Sequence, residues 1–168
     1  MSLAYVGLGS NLDNPIAQVR QALGELDRLP LSDVASISSL YATPPLGPQD
    51  QPNFINAVAA LETSLSPLAL LDQLQALEQR HRRQRRLHWG PRTLDLDLLL
   101  FDRQALDSPR LKLPHWHMHA RDFVLVPLYE LAPDLMLHQR PLGDWLAELD
   151  SAPIRRLTDT DVTPAATI

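Results

Sequence analysis

The sequence predicts an α+β fold in which helices lie on the faces of one mostly antiparallel sheet. Segments with the apolar or alternating pattern of strands occupy residues 3–8, 34–41, 54–61 and 94–101. Helical patterns follow the first and the third of these segments. The order strand, helix, two strands, helix, strand favours a sandwich of the ferredoxin-like kind.

The first strand and the first helix are predicted from apolar spacing and turn chemistry. Residues 3–8 are apolar, and the next residues, Gly9, Ser10 and Asn11, favour a turn. Asn14 is placed to cap the following helix. The predicted helix carries Pro15 at its first position and Ile16, Val19, Leu23 and Leu26 along one face.

The next part of the chain predicts two strands separated by a loop. Residues 34–41 form the weaker strand candidate, and residues 43–53 contain four prolines, which favours a loop. Residues 54–61 alternate across a strand, and one of its faces carries Phe54, Asn56 and Val58.

A second helix is predicted to begin at Ser66 and Pro67. The arginine-rich residues 80–88 are expected to form a loop or a frayed helix end after it. The core stripe of this helix is Leu70, Leu71, Leu74 and Leu77.

The last third of the chain predicts shorter elements. Residues 102–109 have the composition of a hairpin connection, and residues 111–113 form a short return strand. Residues 121–131 are apolar but interrupted by Pro127, so their type stays open. Residues 141–149 predict a last helix with Leu142, Trp145, Leu146 and Leu149 facing inward.

Length and composition indicate one soluble domain. The chain has 168 residues, a formal net charge of −5 and no cysteine, which excludes disulfides and Cys-based zinc sites. No apolar run approaches the roughly 18 residues that span a bilayer. We expect a cytoplasmic monomer that binds neither membrane nor nucleic acid, with one domain over residues 1–150 and a loosely held polar tail over residues 151–168.

Two carboxylates in one strand are the most informative feature of the chain. Asp95 and Asp97 leave the same face of the strand about 6.5 to 7 Å apart. The other face carries Leu94, Leu96, Leu98 and Leu100. A hard divalent cation would offset such closely spaced charges. Cations suited to oxyanions lie beside them, namely Arg80, Arg82, Arg83, Arg85, Arg86 and Arg92. Together these groups predict a polyphosphate ligand.

Each of these features also has an ordinary explanation. A lone Asp-x-Asp pair is more often a solvated strand face, and an arginine run after a helix is usually a solvated C-terminus. Phe54 and Phe123 would by default belong to the core. Gly7 and Gly9 are not followed by the lysine of a phosphate-binding loop. Histidines such as His81 are expected on the surface or in loops.

Four motifs occur in one order along residues 4–149. They are Thr-Pro-Pro-Leu-Gly at 43–47 with Asn56, Gly-Pro-Arg-Thr-Leu-Asp-Leu-Asp at 90–97, Leu-Pro-His at 113–115 and Arg-Asp-Phe-Val-Leu-Val-Pro-Leu at 121–128. These motifs resemble the 6-hydroxymethyl-7,8-dihydropterin pyrophosphokinase family of folate synthesis. The resemblance implies a ferredoxin-like α+β fold and transfer of pyrophosphate from ATP to the hydroxymethyl oxygen of a reduced pterin, releasing AMP.

The resemblance also implies the residues that bind the nucleotide. Asp95 and Asp97 would hold two Mg²⁺ ions against ATP, the co-substrate. The implied catalytic residues are Arg83, Arg92, Asp95 and Asp97. Trp116 stands where relatives often have Tyr or Arg. The implied ATP-binding residues are Leu71, Gln75, Glu78, Arg83, Arg85, Arg86, Arg92, Leu98, Arg110, Lys112, His115, Trp116 and Arg121.

For the pterin, the resemblance implies a stacking pair, Phe54 and Phe123, and an amide at the ring edge, Asn56. Asp95 would also orient or deprotonate the substrate hydroxyl. The loops at residues 43–53 and 82–89 would act as lids. The implied pterin-binding residues are Thr43, Pro44, Leu46, Phe54, Asn56, Trp89, Asp95 and Phe123.

Two other classes of function are alternatives. Ferredoxin-like sheets also bind single-stranded RNA, but such modules are basic and carry an aromatic sheet signature that this acidic chain lacks. A second alternative is another metal-dependent transferase that uses the Asp-x-Asp pair with a sugar nucleotide. The appearance of pterin-dependent AMP from ATP would separate the three.

Overall fold

The computed structural model of the chain describes residues 1–11, 14–44, 53–84, 94–151 and 153–158, with the side chains of residues 83 and 84 excepted. In chain order the elements are β1 (Ser2–Ser10), α1 (Pro15–Leu26), β2 (Ser32–Ile37), β3 (Tyr41–Thr43), β4 (Phe54–Thr63), α2 (Pro67–Gln84), β5 (Asp95–Phe101), β6 (Leu106–Asp107), β7 (Lys112–Leu113), a 3₁₀ turn (Met118–Ala120), α3 (Asp122–Leu131), β8 (Met136–Leu137), β9 (Arg140–Pro141), α4 (Leu142–Ala147) and β10 (Arg155–Arg156). Among these residues, no helix has the length and apolar character needed to cross a membrane.

The main sheet has the strand order β10-β3-β4-β1-β5, and β2 pairs with the second half of β4. Every pairing in this sheet is antiparallel among the described strands. The hairpins β6–β7 and β8–β9 stand apart from it. The predicted α+β class with an antiparallel sheet is therefore confirmed.

Each face of the sheet has its own core. Helices α1 and α2 cover one face and pack with Val6, Leu96 and Phe101. Helix α3 covers the other face and packs with Val58 and Leu99, and α4 packs against α3 in the same core. The sheet is thus sandwiched, and a side chain's place in the strand alternation decides which core it enters.

A β-bulge in β5 corrects part of the predicted alternation. Val6 pairs with Leu98, but its neighbour Tyr5 pairs with Leu100, so Leu99 is an extra residue. Leu100 therefore points with Leu99 into the α3 core, whereas it was expected on the face of Leu94, Leu96 and Leu98.

Other local predictions are corrected by pairing and packing. Gly9 and Ser10 belong to β1, because β4 pairs with them, and they form no turn. The strand candidate at 34–41 is divided into β2 and β3. Asn14 precedes α1 but has a φ of 61° and makes no side-chain cap. Residues 121–131 form a helix from Asp122 onward, in spite of Pro127.

Helix α2 continues into the arginine-rich stretch that was expected to be a loop or a frayed end. His81 lies on this extension and is fully buried, contrary to the surface position expected for it. Its Nδ1 is 2.7 Å from Gln18 Oε1, and its Nε2 is 2.6 Å from Glu25 Oε1. Because both partners lie on α1, His81 ties the two helices together.

The described part of the predicted tail is packed against the sheet. Strand β10 pairs with β3, and the Leu157 N–H donates to the Leu40 carbonyl over 2.9 Å. Leu157 is only 7% exposed and belongs to the core under α1 and α2. Residues 155–157 are therefore held, whereas the expectation was a loose segment from residue 151.

Glu130 of α3 connects that helix to the chain segment around β3. Its carboxylate accepts hydrogen bonds from the Ser39 N–H and hydroxyl at 3.0 Å and from the Tyr41 hydroxyl at 2.7 Å. Arg156 lies 3.5 Å away on β10. Burial and the Glu130 hydrogen bond raise the pKa of Tyr41 to about 12. Partial burial alone would raise the pKa of Glu130, but the bonds from Tyr41 and Ser39 outweigh it and lower that pKa.

The substitution Glu130→Gln should lower the free energy of unfolding at pH 7 by about 1 kcal/mol, a value discounted for solvent screening. A carboxylate with a lowered pKa stabilises the fold above its unfolded pKa, near 4.5, and this contribution disappears as the pH falls through the folded pKa. Urea denaturation at pH 7 and at lower pH should therefore show the wild type and the variant converging below pH 4.5.

The control is Glu148→Gln, which changes an exposed carboxylate paired with Arg140. It should stay within about 0.5 kcal/mol of the wild type. A Glu130→Gln difference that is independent of pH would contradict the role of the charge.

Candidate active site

The register of three strands places the predicted site residues in rows across one sheet face. Gly9 of β1 pairs with Asn56 of β4 on one side and with Asp95 of β5 on the other. In the next row, Gly7 lies between Val58 and Asp97. Directly opposite residues share a face, so both carboxylates face the same side as Asn56.

A cavity of about 730 Å³ lies over these rows of residues, which form its floor, and the start of α3 bounds it. The sequence resemblance assigned these residues to different ligands, and the fold brings them to one space. The predicted site residues that line the cavity are Thr43, Pro44, Phe54, Asn56, Asp95, Asp97, Arg121 and Phe123.

Two glycines keep the floor of the cavity low. A Cβ on Gly9 would stand 2.8 Å from Asn56 Nδ2, which is closer than real contacts allow. A Cβ on Gly7 would meet only the flexible end of Leu99, at 3.4 Å. The sequence analysis considered Gly9 as part of a turn and both glycines as a phosphate loop. Glycine at alternate strand positions instead signals a close approach to a strand.

Two buried polar atoms at the cavity have no hydrogen-bond partner among the described residues. Asn56 is 7% exposed, and its Oδ1 accepts no hydrogen bond among the described residues. Thr43 Oγ1 is also buried and has no hydrogen-bond partner among the described residues. A buried polar atom without a partner is costly, so both atoms fit a ligand that brings hydrogen-bonding groups.

Two aromatic rings border the same space. Phe54 is 37% exposed, which is unusual for a core residue. Phe123 is half-buried, and the Arg121 guanidinium lies 5.7 Å from its ring centroid. The default expectation that both rings would be core residues does not hold for Phe54.

The two carboxylates suit a hard cation that also binds a ligand. Asp95 is exposed and Asp97 half-buried, both at the cavity. The described residues contain no group of three His, Cys, Asp or Glu side chains that could hold a metal alone. Mg²⁺ commonly takes one or two protein carboxylates and completes its shell with phosphates and water, so this donor pair fits it.

His115 lies near Asp97, and its surroundings as a whole favour the neutral ring. Burial lowers its pKa, the charges of Arg121 and His117 lower it further, and only Asp97 opposes them. Its Nδ1 accepts a 3.3 Å hydrogen bond from the His117 N–H. The neutral ring therefore carries its proton on Nε2, which makes it a hydrogen-bond donor.

Other residues assigned to ATP lie outside the cavity and are partnered. Arg110 donates to Asp72 Oδ1 at 2.6 Å and to Gln75 Oε1 at 3.0 Å. Lys112 pairs with Asp107 at 2.5 Å. Asp72 was not predicted as a site residue. The sequence signal for it is its position three residues before Gln75, which places both side chains on one face of α2.

The remaining residues assigned to ATP have diverse surroundings. Leu71 and Leu98 are buried in the core under α1 and α2. Trp116 is 59% exposed, and its ring stacks on His117 with the centroids 3.8 Å apart. Glu78 Oε2 accepts a 2.8 Å hydrogen bond from the Leu96 N–H.

Several predictions fall outside the described residues. They concern Leu46, Arg85, Arg86, Trp89, Arg92 and the side chain of Arg83. Conversely, the cavity is also lined by Asp122, Asp150 and Pro153, which sequence reasoning missed. Asp150 and Pro153 lie between α4 and β10, and the pairing of β10 with β3 keeps this segment beside the cavity.

Comparison with known proteins identifies the class of enzyme to which this fold and site belong. The family model of 7,8-dihydro-6-hydroxymethylpterin-pyrophosphokinase matches residues 5–133. The chain therefore belongs to this family.

Individual relatives agree with the family model. The 2-amino-4-hydroxy-6-hydroxymethyldihydropteridine pyrophosphokinase of Pseudomonas aeruginosa is 58% identical over 88% of this chain and 90% of its own length. The protein of the same name from Haemophilus influenzae is 50% identical over 82% of this chain and 86% of its own length.

Solved structures share the fold at low sequence identity. The wild-type HPPK-DHPS of Plasmodium falciparum with SDX-DHP has a TM-score of 0.69 and 14% identity, over 93% of this chain. An HPPK-DHPS in complex with substrates has a TM-score of 0.72 and 12% identity. This chain spans 47% and 46% of those two chains.

The substitution Gly9→Ala should displace the Asn56 amide, because the new Cβ would stand 2.8 Å from Nδ2. We expect a loss of about 1 to 3 kcal/mol in the free energy of unfolding, as overpacking typically causes. The side-chain NH₂ resonances of Asn56 should shift in an NMR spectrum. Gly7→Ala is the matched control and should cost less, because Leu99 can move aside. Equal losses in the two variants would refute this reading of the floor.

Proposed function

We propose that this protein transfers the pyrophosphoryl group of ATP to the hydroxymethyl oxygen of 6-hydroxymethyl-7,8-dihydropterin, giving AMP and the pterin diphosphate in folate biosynthesis. Family membership supports this reaction. The observation that carries it is the convergence of Asp95, Asp97 and Asn56 with Phe54 and Phe123 on one cavity. These groups suit a polyphosphate and a flat heterocycle side by side.

The pterin would lie between Phe54 and Phe123, where aromatic faces favour stacking with a flat ring. Asn56 Oδ1, which has no partner among the described residues, would accept a hydrogen bond from an N–H at the ring edge. Thr43 Oγ1 would supply a second polar contact. The site would therefore select ligands that carry such edge groups, because a ligand without them would leave both buried atoms unsatisfied.

The triphosphate would lie beside the two aspartates. Asp95 and Asp97 would hold two Mg²⁺ ions, which offset phosphate charge and polarise the bond that breaks. Among the described residues, Arg121 at the cavity and the Nε2–H of His115 would donate hydrogen bonds to phosphate oxygens. Roles for Arg83 and Arg92 stay predictions.

The transfer needs no protein nucleophile. The pterin hydroxyl oxygen attacks the β-phosphorus. The bond from that phosphorus to the oxygen that bridges it to the α-phosphorus breaks, and AMP leaves with that oxygen. The hydroxyl proton passes to the Asp95 carboxylate, which would orient the hydroxyl, and from there to water. Positioning and charge neutralisation then account for catalysis.

The finer structural assignments are also part of this proposal. The ferredoxin-like class is supported by the order β1, α1, β2 with β3, β4, α2, β5 and by the antiparallel sheet. A cytoplasmic location, a monomeric state and one domain over residues 1–150 stay predictions.

The test incubates the protein with Mg·ATP and 6-hydroxymethyl-7,8-dihydropterin and separates the nucleotides by chromatography. We expect AMP and the pterin diphosphate in equal amounts, with AMP formation dependent on the pterin. ADP as the product, or the absence of turnover, would refute the assignment.

The substitution Asp97→Asn should lower kcat/KM at least about a hundredfold, because a metal-binding carboxylate contributes several kcal/mol to the transition state. The free energy of unfolding should change by less than about 1 kcal/mol. The control Asp33→Asn alters an exposed carboxylate on β2 and should keep full activity. Near-normal turnover by Asp97→Asn would remove Asp97 from the metal site.

A further inference from the structure

Strand β5, which carries both aspartates, lies at the end of the main sheet. On its inner edge it pairs only with β1, where Asp95 and Asp97 lie opposite Gly9 and Gly7. Neither glycine has a side chain that could hold the carboxylates in place. The contacts at the outer edge of β5 therefore contribute to the position of the two carboxylates.

The outer edge of β5 is held by a side chain between the two aspartates. Successive N–H groups of a strand point to opposite edges, and the N–H of Leu96 points away from β1. It donates to Glu78 Oε2 over 2.8 Å in a partly buried hydrogen bond. Farther along the same strand, the His115 N–H donates to the Leu99 carbonyl over 2.9 Å.

The backbone that carries Glu78 is rigidly placed. Glu78 lies on α2, directly after Leu77, which is fully buried, as is Leu74 one turn earlier. Leu96 itself is 4% exposed and belongs to the same core. The hydrogen bond thus connects a helix fixed by its core to the one residue between Asp95 and Asp97.

We propose that Glu78 is a positioning residue for the Asp95 and Asp97 pair. By accepting the Leu96 N–H, its carboxylate fixes the edge strand so that both aspartates face one ion and phosphate site. This inference rests on the proposed function and gives Glu78 a role in place of the nucleotide contact that the resemblance implies. A carboxylate accepts a stronger hydrogen bond from a backbone N–H than water does, so it suits the outer edge of a sheet.

Three substitutions and one control test this role. Glu78→Gln keeps an oxygen acceptor at the same reach, whereas Glu78→Leu removes the acceptor and Glu78→Asp shortens it by one methylene. Gln79→Leu is the matched control, because Gln79 is the exposed neighbour on the same helix. Glu78→Asp stands in for Glu78→Leu if the latter fails to fold.

Two measurements do not depend on turnover. Hydrogen exchange of the Leu96 amide, followed by NMR, should accelerate in Glu78→Leu and Glu78→Asp but not in Glu78→Gln. Mn²⁺ titration followed by EPR, with a non-hydrolysable ATP analogue, should show the metal affinity about 10- to 100-fold weaker in the same two variants, as loss of an outer partner of a metal ligand causes. In turnover assays the half-saturating Mg²⁺ concentration should rise in parallel. Affinity for the analogue in EDTA should stay constant.

Each result decides between positioning and direct contact. If Glu78→Leu weakens binding of the analogue in EDTA and leaves Mn²⁺ affinity unchanged, Glu78 contacts the nucleotide and the proposal fails. It also fails if Glu78→Gln behaves like Glu78→Leu, or if Gln79→Leu does. Failure of the proposed function is distinguishable, because the wild type would then form no AMP whatever the Leu96 amide does.

Discussion

The antiparallel register of β4, β1 and β5 is the constraint on which the candidate site depends. It aligns Asn56, Gly9 and Asp95 in one row. An amide that suits a heterocycle on β4 is therefore separated by a single strand, β1, from a carboxylate that suits a cation on β5. The glycine between them leaves space above the sheet, whereas the opposite face is filled by the core under α1 and α2. A slip of one residue would turn these side chains into that core, where unpaired charges are costly.

Electrostatics divide the site between acidic and basic parts. The aspartates lie on the sheet, whereas Arg110 and Lys112 lie beyond the cavity and are held by the carboxylates of Asp72 and Asp107. Exposed pairs of this kind contribute little stability, so exchanging a carboxylate for a phosphate oxygen costs little. The proposed binding of a polyanion is compatible with the net charge of −5, because the cations of the chain are concentrated locally.

The sequence predicted those parts of the fold that follow from periodicity. The faces of β4, the extent of α1 and the common face of Asp95 and Asp97 follow from residue spacing. What it missed depends on contacts between distant residues. The bulge at Leu99 is set by pairing with β1, and the burial of His81 is set by partners on α1. Phe54 and Phe123 were assigned to the site through the family resemblance, since spacing alone assigned both rings to the core.

The C-terminal segment shows why a site can extend past the part of a chain that a family model matches. The match ends at residue 133, yet Asp150 and Pro153 line the cavity. Their position follows from β10, which pairs with β3, and from Leu157, which is buried in the core. Glu130 on α3 contacts both Tyr41 and Arg156, so one carboxylate joins the helix above the cavity to the strands at its border. The walls therefore depend on one another, and a change in the C-terminal segment would reach the cavity through β3 and α3.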